Sequence, residues 1–223
     1  MNICVIPARG GSKRIPRKNI KMFHGKPIIA YSIEAAIASG CFDKVIVSTD
    51  DGEIAGIAKE FGAEVPFIRP AEISSDLAAT NPVISHAVNW LESQGNFINH
   101  VCCLYATAPL IEPNSISSAY KKFKEMKADF CYSVTSFPFP IQRSIKISKN
   151  GKVELFQPEY YHYRSQDLEE AYHDAGQFYW GTKQAFNSEN SILSDVVIPY
   201  ILPRYLVQDI DSPEDWVRAE LMH

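Results

Sequence analysis

Long apolar runs are missing from this 223-residue sequence: no stretch could span a bilayer, and the N-terminus opens on a strand-like segment without a leader pattern. A cytoplasmic chain with no membrane partner is expected. Paired cysteines are missing as well. Cys4, Cys41, Cys102, Cys103 and Cys131 are odd in number and form no C-x-x-C, which argues against a disulfide scaffold or a zinc site. They read as small buried hydrophobes. The six His residues show no H-x-x-x-H spacing. G-x-S-x-G is absent, so a hydrolase of that type is not supported. The Walker A spacing and G-x-G-x-x-G are absent too, which removes the two commonest nucleotide loops. There is no internal repeat and no low-complexity tract.

The absence that says most is local. From Arg9 to Ile33 there is no Asp or Glu, but there are seven Lys or Arg, in a chain whose formal net charge is -4. This basic stretch directly follows the apolar run Ile3–Pro7, with Gly10-Gly11 at the junction. A glycine pair there can turn backbone N–H groups inward as a nest for phosphate oxygens. Arg9 and Lys18 can neutralise phosphate charge, one as a planar fork and the other as a point charge. A solvated basic loop or a weak nucleic-acid patch are the competing readings.

Apolar content of 46% and charged content of 22% are ordinary for a globular protein. Strand and helix patterns alternate. Strands are expected at Asn2–Pro7, Lys44–Ser48, Glu64–Ile68, His100–Tyr105, Phe130–Val134, Gln177–Trp180 and Tyr205–Asp211. Helices are expected at Lys26–Ser39, Glu53–Phe61, Pro82–Glu92 and Asn114–Met126, with a last one capped by Ser212 and started by Pro213. The order predicts one α/β domain over 1–223, a doubly wound and mostly parallel sheet. Between about 136 and 173 prolines and aromatics interrupt the alternation, and Asn150-Gly151 marks a hairpin. This region reads as an inserted arm.

Ligands of open α/β sheets bind beyond the carboxyl ends of the strands. Ala8-Arg9-Gly10-Gly11, Ser48-Thr49-Asp50, Arg69, Thr107 and Asp209-Ile210-Asp211 all fall there, so they are expected to converge. Asp209 and Asp211, at i and i+2 of an extended segment, share a face. Such a pair can hold Mg²⁺ against phosphate oxygens, although Asp at a strand end is also common turn chemistry. Arg164, Ser165 and Gln166 in the aromatic arm suit either a sugar-acid carboxylate or a subunit interface. A metal-dependent glycosyltransferase with an Asp-x-Asp pair and a nucleic-acid binder are alternatives. The pair's C-terminal position weighs against the first, the negative net charge against the second.

The segments Ile6 to Asn19, Val47-Ser48-Thr49-Asp50, Arg69-Pro70-Ala71-Glu72, Ser75-Asp76, Thr107-Ala108-Pro109, Arg164-Ser165-Gln166 and Asp209-Ile210-Asp211 together resemble the acylneuraminate cytidylyltransferase family. The resemblance covers nearly the whole chain. It implies a Rossmann-like nucleotidyltransferase that joins CMP from CTP to a nine-carbon (nonulosonic) sugar acid, using Mg²⁺ and working as a homodimer through the arm. It implies a triphosphate pair in Arg9 and Lys18, a ribose contact in Asn19 and a cytosine-side contact in Arg69. Ala8, Gly10, Gly11, Ser12, Asp76 and Thr80 complete the nucleotide side. Asp209 and Asp211 take the metal, with Arg9, Lys18 and Asp211 carrying the chemistry. On the sugar side it implies Tyr105, Thr107, Gln142, Arg143, Arg164 and Gln166.

The chain also departs from the sialic acid pattern. Leu-Gln-Pro-Thr-Ser-Pro is replaced by Leu104-Tyr105-Ala106-Thr107-Ala108-Pro109, so Tyr105 stands where a sugar-facing Gln is typical. Phe137 to Arg143 and Tyr172 to Gly181 look like the branch acting on pseudaminic acid. N-acetylneuraminic, legionaminic and 3-deoxy-octulosonic acids remain alternatives for the same reaction.

Overall fold

The computed structural model describes residues 1–75, 78–187 and 196–223. The chain runs β1 (Asn2–Pro7), β2 (Met22–Phe23), β3 (Lys26–Pro27), α1 (Ile28–Ala38), β4 (Lys44–Ser48), α2 (Gly52–Glu60), α3 (Thr80–Ser93), β5 (His100–Leu104), α4 (Pro113–Glu125) and β6 (Phe130–Ser136). It continues through β7 (Ile145–Ile147), β8 (Val153–Leu155), β9 (Tyr172–Thr182), α5 (Lys183–Phe186), β10 (Val197–Ile201) and α6 (Pro213–Met222). Six strands form one sheet in the order β10-β6-β9-β5-β1-β4. Only β9 opposes its neighbours; the other pairings are parallel.

Side-chain alternation along each strand builds the layers. Cys4 and Ile6 of β1, with Cys102 and Leu104 of β5, face α1, α2 and α4; Ile3, Val5, Val101 and Cys103 face α3 and α5. Both faces of the central strands are covered, which is why they read as unbroken apolar runs. Trp180 of β9 is fully buried and its indole N–H donates to Ile116 O at 3.2 Å. The five cysteines are free thiols, four of them buried.

Local chemistry sets the helix ends. Asp51 caps α2, its carboxylate accepting from the N–H groups of Glu53 and Ile54, both at 3.0 Å. Ser212 caps α6 in a reciprocal box with Asp215, and Pro213 opens the first turn. The first helix starts two residues later than the sequence pattern predicts, because Lys26-Pro27 pairs with Met22-Phe23 instead.

Two expected strands are absent. At Glu64–Ile68 there is a single bridge, Ile46 to Glu64. Pro66 has no N–H with which to extend the ladder. Tyr205–Asp211 forms a 3-10 turn at Arg204–Leu206 and then an irregular segment. The last strand is instead β10, which the sequence reading missed. Pro199 within it demotes the pattern, yet is tolerated because β10 lies at the sheet edge.

Between β6 and β9 lies the arm: three 3-10 turns around the antiparallel hairpin β7–β8, whose turn holds Gly151 at φ 75°. Phe139, Ile145, Ile147, Val153, Phe156 and Tyr161 of the arm are all exposed.

Candidate active site

The chain leaves β1 at Pro7 and turns across the ends of β1 and β4. Gly10 comes so close to α2 that a Cβ on it would lie 2.7 Å from Asp51 Oδ2, so no larger residue fits without displacing that carboxylate. Its N–H donates to Asp50 Oδ1 at 2.9 Å, and Ser12 N–H donates to Gly10 O at 3.1 Å. Neither Gly10 nor Gly11 has a positive φ. The backbone nest expected from the glycine pair is therefore not formed: the Gly10 donor is already used by the Asp50 carboxylate. The left-handed residue of the loop is Arg17, at φ 55°. Its guanidinium clamps Asp51 at 2.5 and 2.9 Å and reaches Glu53 at 2.5 Å. That clamp, chiefly through the Arg17 hydrogen bond, holds the Asp51 carboxyl down to about 2 and raises the Arg17 guanidinium.

Beyond the strand ends opens a cavity of about 370 Å³. It brings together Arg9, Ser12, Lys18, Asn19, Arg69, Thr80, Tyr105, Thr107, Asp209 and Asp211. Asn19 is buried and its Nδ2 donates to Arg9 O at 2.9 Å, tying the two ends of the loop together. Lys18 Nζ donates to Ile210 O at 2.5 Å and lies 3.5 Å from Asp211 Oδ1. Arg14 also meets Asp211 Oδ1, at 2.9 Å.

Asp209-Ile210-Asp211 is not a strand, but the alternation still holds. Ile210 is fully buried against Ile15, Phe23, Ile28 and Trp216, leaving the flanking carboxylates to line the cavity. Desolvation, and then the like charge of Asp211, raises the Asp209 carboxyl, with Lys18 opposing.

Arg69 is 5% exposed, and its Nε and Nη2 have no hydrogen-bond partner. Asp50 Oδ1 stands 3.6 Å from Nη2, within ion-pair range but beyond a hydrogen bond. Burial lowers its pKa and the nearby Asp50 raises it. A guanidinium stays charged in proteins, so these buried, unpaired donors, on a residue that lines the cavity, are a standing demand for an acceptor.

The structure keeps other expected residues apart from this cavity. Ala8, Gly10 and Gly11 do not line it, and neither do Ser48, Thr49 and Asp50, whose strand end packs against the loop through the Gly10 N–H to Asp50 bond. Gln142, Arg143, Arg164 and Gln166 lie in the arm and do not line it either. There Arg164 pairs with Asp167 at 2.8 Å, Gln142 Nε2 donates to Glu169 O at 2.9 Å, and Arg143 meets Ser165 Oγ at 3.2 Å. Asp76 lies outside the described residues.

Sequence reasoning also missed a second cavity, of about 320 Å³, that shares Ala79, Thr80 and Tyr105 with the first. Phe130, Tyr132, Phe186 and Val197 give it apolar walls, and Asp174 and Tyr179 supply polar groups. The available signal was Asp174-x-Gly176, the spacing of an Asx turn.

A doubly wound sheet with a basic loop after its first strand, cationic side chains gathered at the strand ends and two carboxylates facing them is an arrangement suited to a phosphate-bearing ligand. Solved structures support that fold. CMP:2-keto-3-deoxy-manno-octonic acid synthetase complexed with CTP superposes with a TM-score of 0.71 at 14% identity, over 99% of this chain and 97% of that one. 4-Diphosphocytidyl-2C-methyl-D-erythritol synthase from Anaerococcus prevotii gives 0.66 at 13% identity, over 99% and 96%.

At the level of sequence, the family model described as Cytidylyltransferase matches residues 3–207. The pseudaminic acid cytidylyltransferase of Campylobacter jejuni is 47% identical over 222 residues, spanning 100% of this chain and 96% of that protein. The CMP-N,N'-diacetyllegionaminic acid synthase of Legionella pneumophila is 32% identical, over 98% of this chain and 94% of that protein. The N-acylneuraminate cytidylyltransferase of Escherichia coli is 31% identical, over 97% of this chain but 51% of that protein. The chain belongs to the cytidylyltransferase family and is an enzyme of that class.

Proposed function

We propose that this enzyme transfers CMP from CTP to pseudaminic acid, releasing pyrophosphate. The observation that carries the reading is the main cavity, where Arg9, Lys18 and Arg69 meet Asp209 and Asp211. The 47% identity to the Campylobacter jejuni protein supports the choice of sugar acid.

The anomeric hydroxyl of the sugar attacks the α-phosphorus of CTP, and the bond to pyrophosphate breaks. Catalysis then consists of in-line positioning and charge neutralisation. Arg9 and Lys18 hold the β- and γ-phosphates and stabilise the departing pyrophosphate. Lys18, fixed by Ile210 O, cannot drift from the carboxylate pair. Arg69 offers its unused donors to the cytidine side.

Asp209 and Asp211 are the residues that would hold Mg²⁺. Among the described residues no cluster of three or more His, Cys, Asp or Glu is gathered for a metal. Two carboxylates completed by water and substrate phosphate oxygens is the usual Mg²⁺ arrangement, and a cation would offset the burial and, after it, the like charge of Asp211 that raise the Asp209 carboxyl. When bound, Mg²⁺ supplies Lewis-acid charge stabilisation at phosphate oxygen.

The same reading makes the arm a dimer contact that brings Arg164, Gln166, Gln142 and Arg143 toward a partner's sugar side, supported by the arm's exposed apolar residues. It also places the enzyme in the cytoplasm, where CTP is available; no described helix is long and apolar enough to cross a membrane.

The test is pyrophosphate release with CTP, Mg²⁺ and a panel of sugar acids. Release is expected with pseudaminic acid. Release with N-acetylneuraminic acid but not pseudaminic acid overturns the substrate, and no release with any acid overturns the reaction.

A further inference from the structure

The segment between β10 and α6 carries Asp209 and Asp211 on irregular backbone, so bonds other than a β-ladder set where the pair stands. The segment is tied down at Leu202, whose N–H donates to Val134 O at 2.8 Å and whose carbonyl accepts from Thr135 Oγ1 at 2.9 Å. It is tied again at Ile210, whose carbonyl accepts from Lys18 Nζ at 2.5 Å. Between these points Gln177 of β9 reaches across, and its Nε2 donates to Leu206 O at 2.5 Å.

A bulge in β9 puts Gln177 there. In the β6–β9 ladder Tyr132 pairs with Tyr179 and Val134 with Asp174, so Ala175 to Phe178 stand opposite Ser133 alone. Asp174 closes the bulge, accepting from Gly176 N–H at 2.8 Å and from Tyr179 OH at 2.5 Å. Ser133 pins it from β6, donating to Phe178 O and accepting from Phe178 N–H, both at 3.1 Å. Gly176 takes φ 62°, and a Cβ built on it would stand 3.5 Å from Asp209 Cγ, so its backbone lies against that carboxylate. Gly176 and Gln177 therefore meet the segment at two points, Asp209 itself and Leu206 three residues before it. The Gln177 carbonyl also accepts from Tyr105 N–H at 2.8 Å, which fixes the same residue to the end of β5.

Stability alone does not account for an amide at this position. Gln177 is 2% exposed, and its Oε1 is buried with no hydrogen-bond partner. An apolar side chain would avoid that orphaned acceptor. What the amide provides is the bond to Leu206 O. A local cost of this kind is expected where geometry at a functional site is being held.

We infer that Gln177 is a positioning residue: by holding Leu206 O while Gly176 backs the carboxylate, it sets where Asp209 stands for a divalent cation. Gln177 does not line the cavity, so it acts through the segment that it holds. The inference rests on the proposed reading of Asp209 as a residue that holds Mg²⁺, and not on which sugar acid is used.

Gln177→Met tests it, keeping an unbranched side chain of similar length and removing the donor to Leu206 O. Mn²⁺ stands in for Mg²⁺, and its binding to the free enzyme is read by electron paramagnetic resonance, without turnover. The Mn²⁺ Kd should rise about tenfold, the usual scale for losing a group that orients a metal ligand. Asp209→Asn provides the reference, a rise at least as large. Thr135→Val breaks the bond to Leu202 O in the same segment and should lower the melting temperature by a similar few degrees, yet leave the Kd within about twofold. Gln177→Leu repeats the deletion with a second apolar shape. An unchanged Kd in Gln177→Met or Gln177→Leu, or an equal rise in Thr135→Val, overturns the inference and leaves Asp209 its role. Loss of the fold in both Gln177 variants makes Gln177 a residue of the fold alone and overturns it too. An unchanged Kd in Asp209→Asn removes the metal assignment and the inference with it.

Discussion

The basic loop after β1 and the arm between β6 and β9 are both rich in charge, yet they bond in opposite ways. Loop side chains reach far along the chain. Arg17 clamps Asp51 and Glu53 of α2's first turn, Arg14 pairs with Asp211, and Lys18 finds Ile210 O almost at the other terminus. In the arm the pairs are local: Arg164 with Asp167, and Lys146 with Glu154 across the hairpin. Distant partners fix where the loop's cations stand relative to the sheet. Local partners shape the arm internally and leave its apolar side chains exposed, the surface expected of an element that docks elsewhere.

Four experiments can break or sharpen that contrast. Lys18→Ala or Asp211→Ala should show the largest effect, a loss of about a hundredfold or more in kcat for pyrophosphate release with unchanged circular dichroism. One charge-assisted contact to a developing charge is worth about 3 kcal/mol. Near-normal turnover would remove both residues from the site. Arg17→Ala should do less, since it touches no cavity atom. With the clamp gone, Lys18 and Arg9 lose their preset position, and the CTP KM should rise roughly tenfold with a smaller change in kcat. An unchanged KM would show that the clamp serves stability alone.

For the arm, Ile147→Asp together with Phe139→Asp should leave the melting temperature of the fold within a few degrees. If the arm docks onto a second copy, light scattering should register a shift toward monomer mass. An unchanged mass would leave those exposed side chains without a partner.

The smallest effect concerns pH. The Asp51 carboxyl is held down to about 2, below its unfolded value of about 3.9. Its stabilisation is therefore complete above pH 4 and is lost as pH falls toward 2. The melting-temperature gap between wild type and Asp51→Asn should shrink over that window and stay constant from pH 5 to 7. A gap that persists at pH 2 would rule out the Arg17 clamp as its source.

Much of the fold was legible because its signals are local. The apolar runs at Ile3–Ile6 and Val101–Leu104, the turn at Gly62 and the Ser212-Pro213 start each act within a few residues. Glu64–Ile68 misled because a single bridge follows the same apolar pattern as a strand until Pro66 ends it. Tyr205–Asp211 misled because burial of Ile210 between Asp209 and Asp211, which line the cavity, has the period of a strand without a ladder. The nest expected at Gly10-Gly11 was misread because a glycine required for close approach looks the same in sequence as one required for a positive φ. Only the packing of Asp51 against Gly10 distinguishes them.

By itself the sequence determined the alternating α/β plan, the concentration of positive charge after the first strand, and the convergence of Arg9, Arg69, Thr107 and the Asp209/Asp211 pair at the strand ends. Those follow from periodicity and from where strands stop. Only the tertiary structure decided that Arg69 keeps unused donors, that Lys18 rests on Ile210 O, and that Tyr179 donates to Asp174. A hydrogen bond between residues far apart in sequence depends on distances of tenths of an ångström, set by the whole packed sheet, and no local spacing encodes them.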